Sequence, residues 1–141
     1  MRALLDTSVL VATFLGDHEH HEASLDTFLR LGKREACCAA HSLAEVYATF
    51  TRMPGKYRVS CEQAVLFLQE IRQRMTIVAL DEEEYYETIE QASAVAVIGG
   101  ALYDALIARC ALKAKADMIY TWNVKHFQRL GQEVARRVKT P

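Results

Sequence analysis

The sequence predicts an α/β fold built on a parallel sheet, from two observations. Short apolar runs of strand length recur, separated by longer segments of helical periodicity. The runs read as apolar throughout rather than alternating, the pattern of strands buried on both faces. At 141 residues, with two prolines and no Gly/Ser-rich stretch, the chain reads as one compact unit, residues 1–141.

Ala3-Leu4-Leu5 is the first strand, closed by the turn and cap signal Asp6-Thr7-Ser8, and Val9 to Leu15 is helical up to Gly16. A second helix is expected from His18 to Leu31, with Gly32 as its stop. Glu35 to Ala40 reads as a short buried strand. Ser42-Leu43-Ala44-Glu45 fits a capping box in front of an apolar helix ending at Met53, before Pro54-Gly55. Ser60 caps a helix carrying Ala64, Val65, Phe67, Leu68 and Ile71. Met75 to Leu80 is a strand rich in β-branched residues, and Asp81 with Glu84 opens a long helix to about Val97. Gly99-Gly100 separates it from a helix over Leu102 to Lys115; Asp117 to Thr121 is the fourth strand. A short helix, Val124 to Leu130, and a fifth strand, Val134 to Val138, close the pattern.

Composition excludes several classes. A hydrophobic fraction of 51% with 25% charged residues is that of a globular protein. Seventeen basic against eighteen acidic residues leave a net charge of -1, so any affinity for nucleic acid rests on a local patch or on bound cations. Candidates for such a patch are Lys125, Arg129, Arg136, Arg137 and Lys139 near the end of the chain, and Arg52, Lys56 and Arg58 around Pro54-Gly55. Cys37, Cys38, Cys61 and Cys110 show no CxxC spacing and read as reduced thiols. Asp6 interrupts the N-terminal apolar run too early for a signal peptide and no run suffices for a membrane span, so a cytoplasmic location is expected.

Right-handed crossovers place successive strand–helix turns on the carboxyl edge of a parallel sheet. Asp6 follows strand one, Glu45 stands just past strand two and Asn123 just past strand four, so all three are expected on that edge. Each polar group has a local explanation. Asp6 and Asn123 suit helix N-caps, Glu45 suits the third position of a capping box, and Asp104 suits a first helical turn. Capping does not explain why several acids share one edge. Carboxylates gathered so closely repel unless a divalent cation compensates, and hard cations such as Mg²⁺ favour oxygen ligands and substrate phosphate. His18-Glu19-His20-His21-Glu22 is no zinc motif, because helical HExxH needs His where Glu22 stands. No phosphate-binding glycine loop or nucleophile elbow is present.

Four stretches carry a resemblance: Leu4-Leu5-Asp6-Thr7-Ser8, Ser42-Leu43-Ala44-Glu45-Val46-Tyr47, Tyr103-Asp104-Ala105-Leu106-Ile107-Ala108 and Thr121-Trp122-Asn123-Val124-Lys125-His126-Phe127. In this order and spacing the chain resembles PIN-domain nucleases, in particular VapC-type toxins of toxin–antitoxin pairs. The resemblance implies a three-layer α/β/α sandwich with a four- to five-stranded parallel sheet. It implies an endoribonuclease dependent on Mg²⁺ or Mn²⁺, a homodimer, an RNA substrate and a cognate antitoxin as partner. Carried over by position, Asp6, Glu45 and Asp104 would be metal ligands and Asn123, often Asp in the family, would complete the catalytic cluster. Ser8 and Thr121 would be supporting hydroxyls that orient ligands or water. The alternative is a non-catalytic PIN-like module that binds RNA or protein, which Asn123 keeps open. A phosphoacceptor receiver domain fits less well, because Asp6 stands alone where that fold wants an acidic pair.

Overall fold

A computed structural model describes all 141 residues. Five strands, β1 (Ala3–Leu5), β2 (Ala36–Ala39), β3 (Thr76–Val78), β4 (Met118–Tyr120) and β5 (Val138–Lys139), form one sheet in the order β3-β2-β1-β4-β5. Every pairing is parallel. The chain first builds outward from β1 through β2 to β3, then returns across the sheet to place β4 on the other side of β1. The order therefore reverses at β1, and the crevice at its carboxyl end is where open α/β sheets bind ligands.

Helices cover both faces. Helices α1 (Thr7–Phe14), α2 (His21–Arg30), α3 (Ala40–Arg52) and α4 (Cys61–Arg74) precede β3; α5 (Glu82–Ala94) and α6 (Ala101–Lys113) lead into β4, and α7 (Val124–Gln128) and α8 (Gln132–Ala135) into β5. Pleating divides the strand side chains between two cores. Ala3, Leu5, Ala36 and Cys38 join Val9, Leu10, Phe28, Val46, Phe50 and Ile71 on one side. Leu4, Cys37, Ala39 and Ile119 join Ile107, Ala108, Ala111 and Phe127 on the other. Fully buried strands explain the unbroken apolar runs. Cys37, Cys38 and Cys110 are buried free thiols, with burial pushing Cys38 up to about 12, while Cys61 is exposed.

Most boundaries shift by a residue or two, and three elements start three or more residues from where they are expected. Helix α2 begins at His21 rather than His18, because His18 Nδ1 accepts from the His20 N–H at 3.0 Å and holds residues 18–20 in a turn. Helix α3 begins at Ala40, directly off β2, with Ala39 as an N-cap that makes no side-chain bond. Ala40 continues readily as helix, so Ser42 is an interior position, fully buried, and the Ser42–Glu45 capping box does not form. At the C-terminus, Gly131 turns at φ 106° into α8, whose Glu133 pairs with Arg136 and Arg137 at 3.1 Å, so the last strand is Val138–Lys139 instead of Val134–Val138. The Asp81–Glu84 capping box does form, with both reciprocal bonds, at 2.8 and 2.9 Å. No helix is long and apolar enough to cross a membrane.

Candidate active site

The crevice beside β1 holds a solvent-open cleft of about 430 Å³ whose lining includes Asp6, Thr7, Ser8, Glu45, Asp104 and Asn123. Register explains the meeting. Leu5 pairs with Tyr120, so Asp6 and Thr121 leave adjacent strands side by side. β2 runs straight into α3, bringing Glu45 over the same edge, and the first turn of α6 supplies Asp104.

Asp6 is 2% exposed and is the N-cap of α1. Its Oδ2 accepts from Ser8 Oγ at 2.8 Å, from Thr121 Oγ1 at 2.8 Å and from the Ser8 N–H at 3.4 Å. All these bonds fall on one oxygen, and Oδ1 takes none of them. Burial raises the Asp6 carboxyl above its ordinary value against the lowering effect of the hydroxyls. The hydroxyls are themselves fixed: Ser8 Oγ accepts from the Trp122 N–H at 3.0 Å, and Thr121 Oγ1, fully buried, accepts from the Asn123 N–H at 2.9 Å.

Asp104 is pushed up to about 6, first by burial, then by the negative charge of Asp6, with Glu45 adding a smaller push; His126 opposes it, its Nδ1 lying 3.6 Å from Oδ2. Glu45 Oε1 accepts from Thr7 Oγ1 at 2.7 Å, and Thr7 Oγ1 also lies 2.9 Å from Ser42 Oγ. His41 Nε2 stands 3.8 Å from Glu45 Oε2, buried and without a hydrogen-bond partner, and its ring stacks on Tyr103. Asn123 is exposed; it is the N-cap residue of α7 but its side chain makes no capping bond.

Thr7, Thr49, His18, Glu19, His20 and Trp122 also face the cleft. The sequence alone marks Thr7 only as a turn residue and His18 to His21 only as the start of a helix. The spacing of His41 four residues before Glu45 was the one available signal for that pair. No lysine or arginine lines the cleft, so its negative charge has no fixed positive partner. That donor set of carboxylate, amide and hydroxyl oxygens fits a hard divalent cation. No three His, Cys, Asp or Glu side chains stand close enough together to hold an ion by themselves. One or two carboxylates with water and substrate oxygens is the coordination Mg²⁺ commonly takes.

Comparison with known proteins gives a consistent picture. The PIN domain family matches residues 3–132. Ribonuclease VapC40 from Mycobacterium tuberculosis (strain CDC 1551 / Oshkosh) is 35% identical over 114 residues, covering 81% of each chain. In fold, the chain is similar to Mycobacterium tuberculosis VapC20, described as a Sarcin-Ricin loop cleaving toxin, with a TM-score of 0.71 at 14% identity over 88% of this chain and 92% of that one. It is also similar to VapBC2 from Rickettsia felis bound to a DNA fragment from their promoter, with a TM-score of 0.66 at 20% identity over 99% and 98% of the two chains.

Proposed function

The chain belongs to the PIN-domain family, and from that premise we propose that it is a metal-dependent endoribonuclease, the toxin of a toxin–antitoxin pair, acting as one nuclease domain over residues 1–141. The observation that carries this reading is the cleft at the strand-order reversal. Acids from three separate parts of the chain face it, and no lysine or arginine lines it.

Asp6, Glu45 and Asp104 are the residues proposed to hold Mg²⁺ or Mn²⁺, one or two of them directly and the rest through coordinated water, with Asn123 completing the cluster. When bound, the ion polarises the scissile phosphodiester, makes a water nucleophilic near neutral pH and screens the substrate's charge. The chain's own groups prepare for this. Ser8 and Thr121 clamp one oxygen of Asp6, leaving the other free of these bonds at the cleft wall. Thr7 fixes Glu45 from the side. Asp104, pushed up to about 6, is mostly ionised at neutral pH and so available to a cation there. His126 and Arg129 border a neighbouring cavity of about 560 Å³ that shares Asp104, a position from which they steer RNA phosphates.

An antitoxin partner is supported by the VapBC likeness. A homodimer is supported by the exposed Val65 and Leu66 on α4, at 42% and 55%. A cytoplasmic location agrees with the RNA substrate. The deciding experiment is RNA cleavage with Mg²⁺ or Mn²⁺, abolished by chelator, by Asp6→Ala and by Asp104→Asn. Full activity in both variants overturns the assignment. RNA binding with no turnover under either metal favours the non-catalytic module instead.

A further inference from the structure

An aromatic pair stands in the wall of the same cleft and has no role in the reading above. The His20 ring lies flat on the indole of Trp122, with centroids 3.7 Å apart and planes 6° from parallel. The pair is held from several sides. Trp122 Nε1 donates to Ser24 Oγ at 2.8 Å, Ser24 being fully buried on α2. The indole packs against the core beneath α1 and α2. The His20 N–H is tied to His18 Nδ1, and His20 Nε2 lies 3.5 Å from Glu19 Oε1. With Trp122 behind it, the imidazole keeps 36% of its side chain exposed, and both residues line the cleft with Asp6, Glu45 and Asp104. A single hydroxyl joins the aromatic wall to the acids: Ser8 Oγ donates to Asp6 Oδ2 and accepts from the Trp122 N–H.

We propose that His20, backed by Trp122, is a nucleobase-stacking subsite that seats a base flanking the scissile phosphate of the RNA. The inference rests on the ribonuclease reading and adds to it a determinant of where the strand lies. A lone imidazole on a surface turn would have to be ordered by the ligand. Here the ring is already ordered by the indole, so a base docking on it loses less of its stacking energy to conformational entropy. Stacking accepts any base through its π-face, so this subsite sets the position of the strand while leaving base choice to other contacts.

The test uses an oligoribonucleotide that the wild type cleaves, and a set of strands in which an abasic ribose replaces each nucleotide in turn. On the intact strand, His20→Ala raises KM about tenfold with kcat within about twofold, and His20→Phe restores KM. One abasic position beside the cut raises the wild-type KM by a similar factor and costs His20→Ala nothing more. A penalty for His20→Ala that is equal on intact and abasic strands at every position overturns the subsite, and so does a failure of His20→Phe to restore KM. A merely structural stack would lower the melting temperature and affect all strands alike. A second readout does not need turnover, because Trp122 is the only tryptophan. With Ca²⁺ in place of Mg²⁺, the intact strand changes Trp122 fluorescence and the matching abasic strand does not. Equal responses overturn the subsite even where cleavage is normal, and a differential response with no cleavage under any metal sinks the nuclease reading alone.

Discussion

Thr121 Oγ1 donates to Asp6 Oδ2 across 2.8 Å, although 115 positions separate the two residues in sequence. The bond exists because β1 and β4 are neighbours, Leu5 beside Tyr120, so that the residue following each strand emerges at the same point. Asp6 thus owes its orientation to a strand from the other end of the chain.

Thr121→Val keeps the shape of this buried side chain but removes a donor from Asp6 and an acceptor from the Asn123 N–H. Residues that orient ligands typically contribute 10- to 100-fold to activity or metal affinity. Cleavage is expected to fall by roughly that factor, about 10- to 100-fold, with Thr121→Ser recovering most of it. Wild-type rates in Thr121→Val would show that Asp6 needs no such clamp.

Asp104 gives a pH dependence with a definite sign. Its carboxyl stands at about 6 in the fold against an ordinary value of 3.8, so between those values the unfolded chain has released a proton that the native state retains. Stability contributed by the neutral acid is therefore present below about 4 and is lost as pH rises through about 6. Denaturant titrations in chelator from pH 4 to 7 should show this decline, and Asp104→Asn should make it shallower, the raised Asp6 carboxyl leaving a decline of the same sign. Because an ion needs the ionised form, half-saturating Mg²⁺ should rise as pH drops below about 6. A stability curve unchanged by Asp104→Asn would contradict both expectations.

Asp6→Asn separates function from folding. The amide keeps an oxygen for the Ser8 and Thr121 hydroxyls and remains a good N-cap, yet removes a buried carboxyl that the fold disfavours in its charged form. Cleavage should fall by roughly 100-fold or more, while the melting temperature in chelator rises by about 3 °C. Loss of both activity and stability would mean that Asp6 serves the fold first.

How far the sequence disclosed this arrangement depends on the range of the interaction concerned. Asp6 was legible because it sits one residue past a buried strand, whereas Asp104, which its place in a first helical turn explains locally, entered the set through the resemblance of Tyr103 to Ala108. Glu45 was legible from its place just past the second strand and from the resemblance; only its local explanation fails, since the expected capping box is absent and Ser42 Oγ instead accepts from Thr7 Oγ1. The strand-to-helix join at Ala39-Ala40 has no turn residue to announce it. The His20–Trp122 stack was out of reach, because local pattern made residues 18–20 a helix start, and only tertiary packing pairs rings that are 102 positions apart. β5 was displaced because Val134 is buried by a helical turn rather than by a strand, and apolarity alone does not distinguish the two.

The acidic run at Asp81 supplies a control from outside the cleft. Asp81 Oδ1 accepts from the Glu84 N–H at 2.8 Å, and Glu84 Oε1 accepts from the Asp81 N–H at 2.9 Å and from Lys113 Nζ at 2.7 Å. Lys113 Nζ also donates to Ala79 O at 2.8 Å, so the cap fastens α5 to the end of α6 rather than to any part of the cleft. Asp81→Ala removes the cap and should cost about 1 kcal/mol in urea unfolding, with Asp81→Asn nearly neutral because Asn caps as well. Neither substitution touches a residue that lines the cleft. RNA cleavage per folded molecule should therefore stay at the wild-type level in both, and a fall in Asp81→Ala that tracks activity rather than stability would extend the functional surface onto α5.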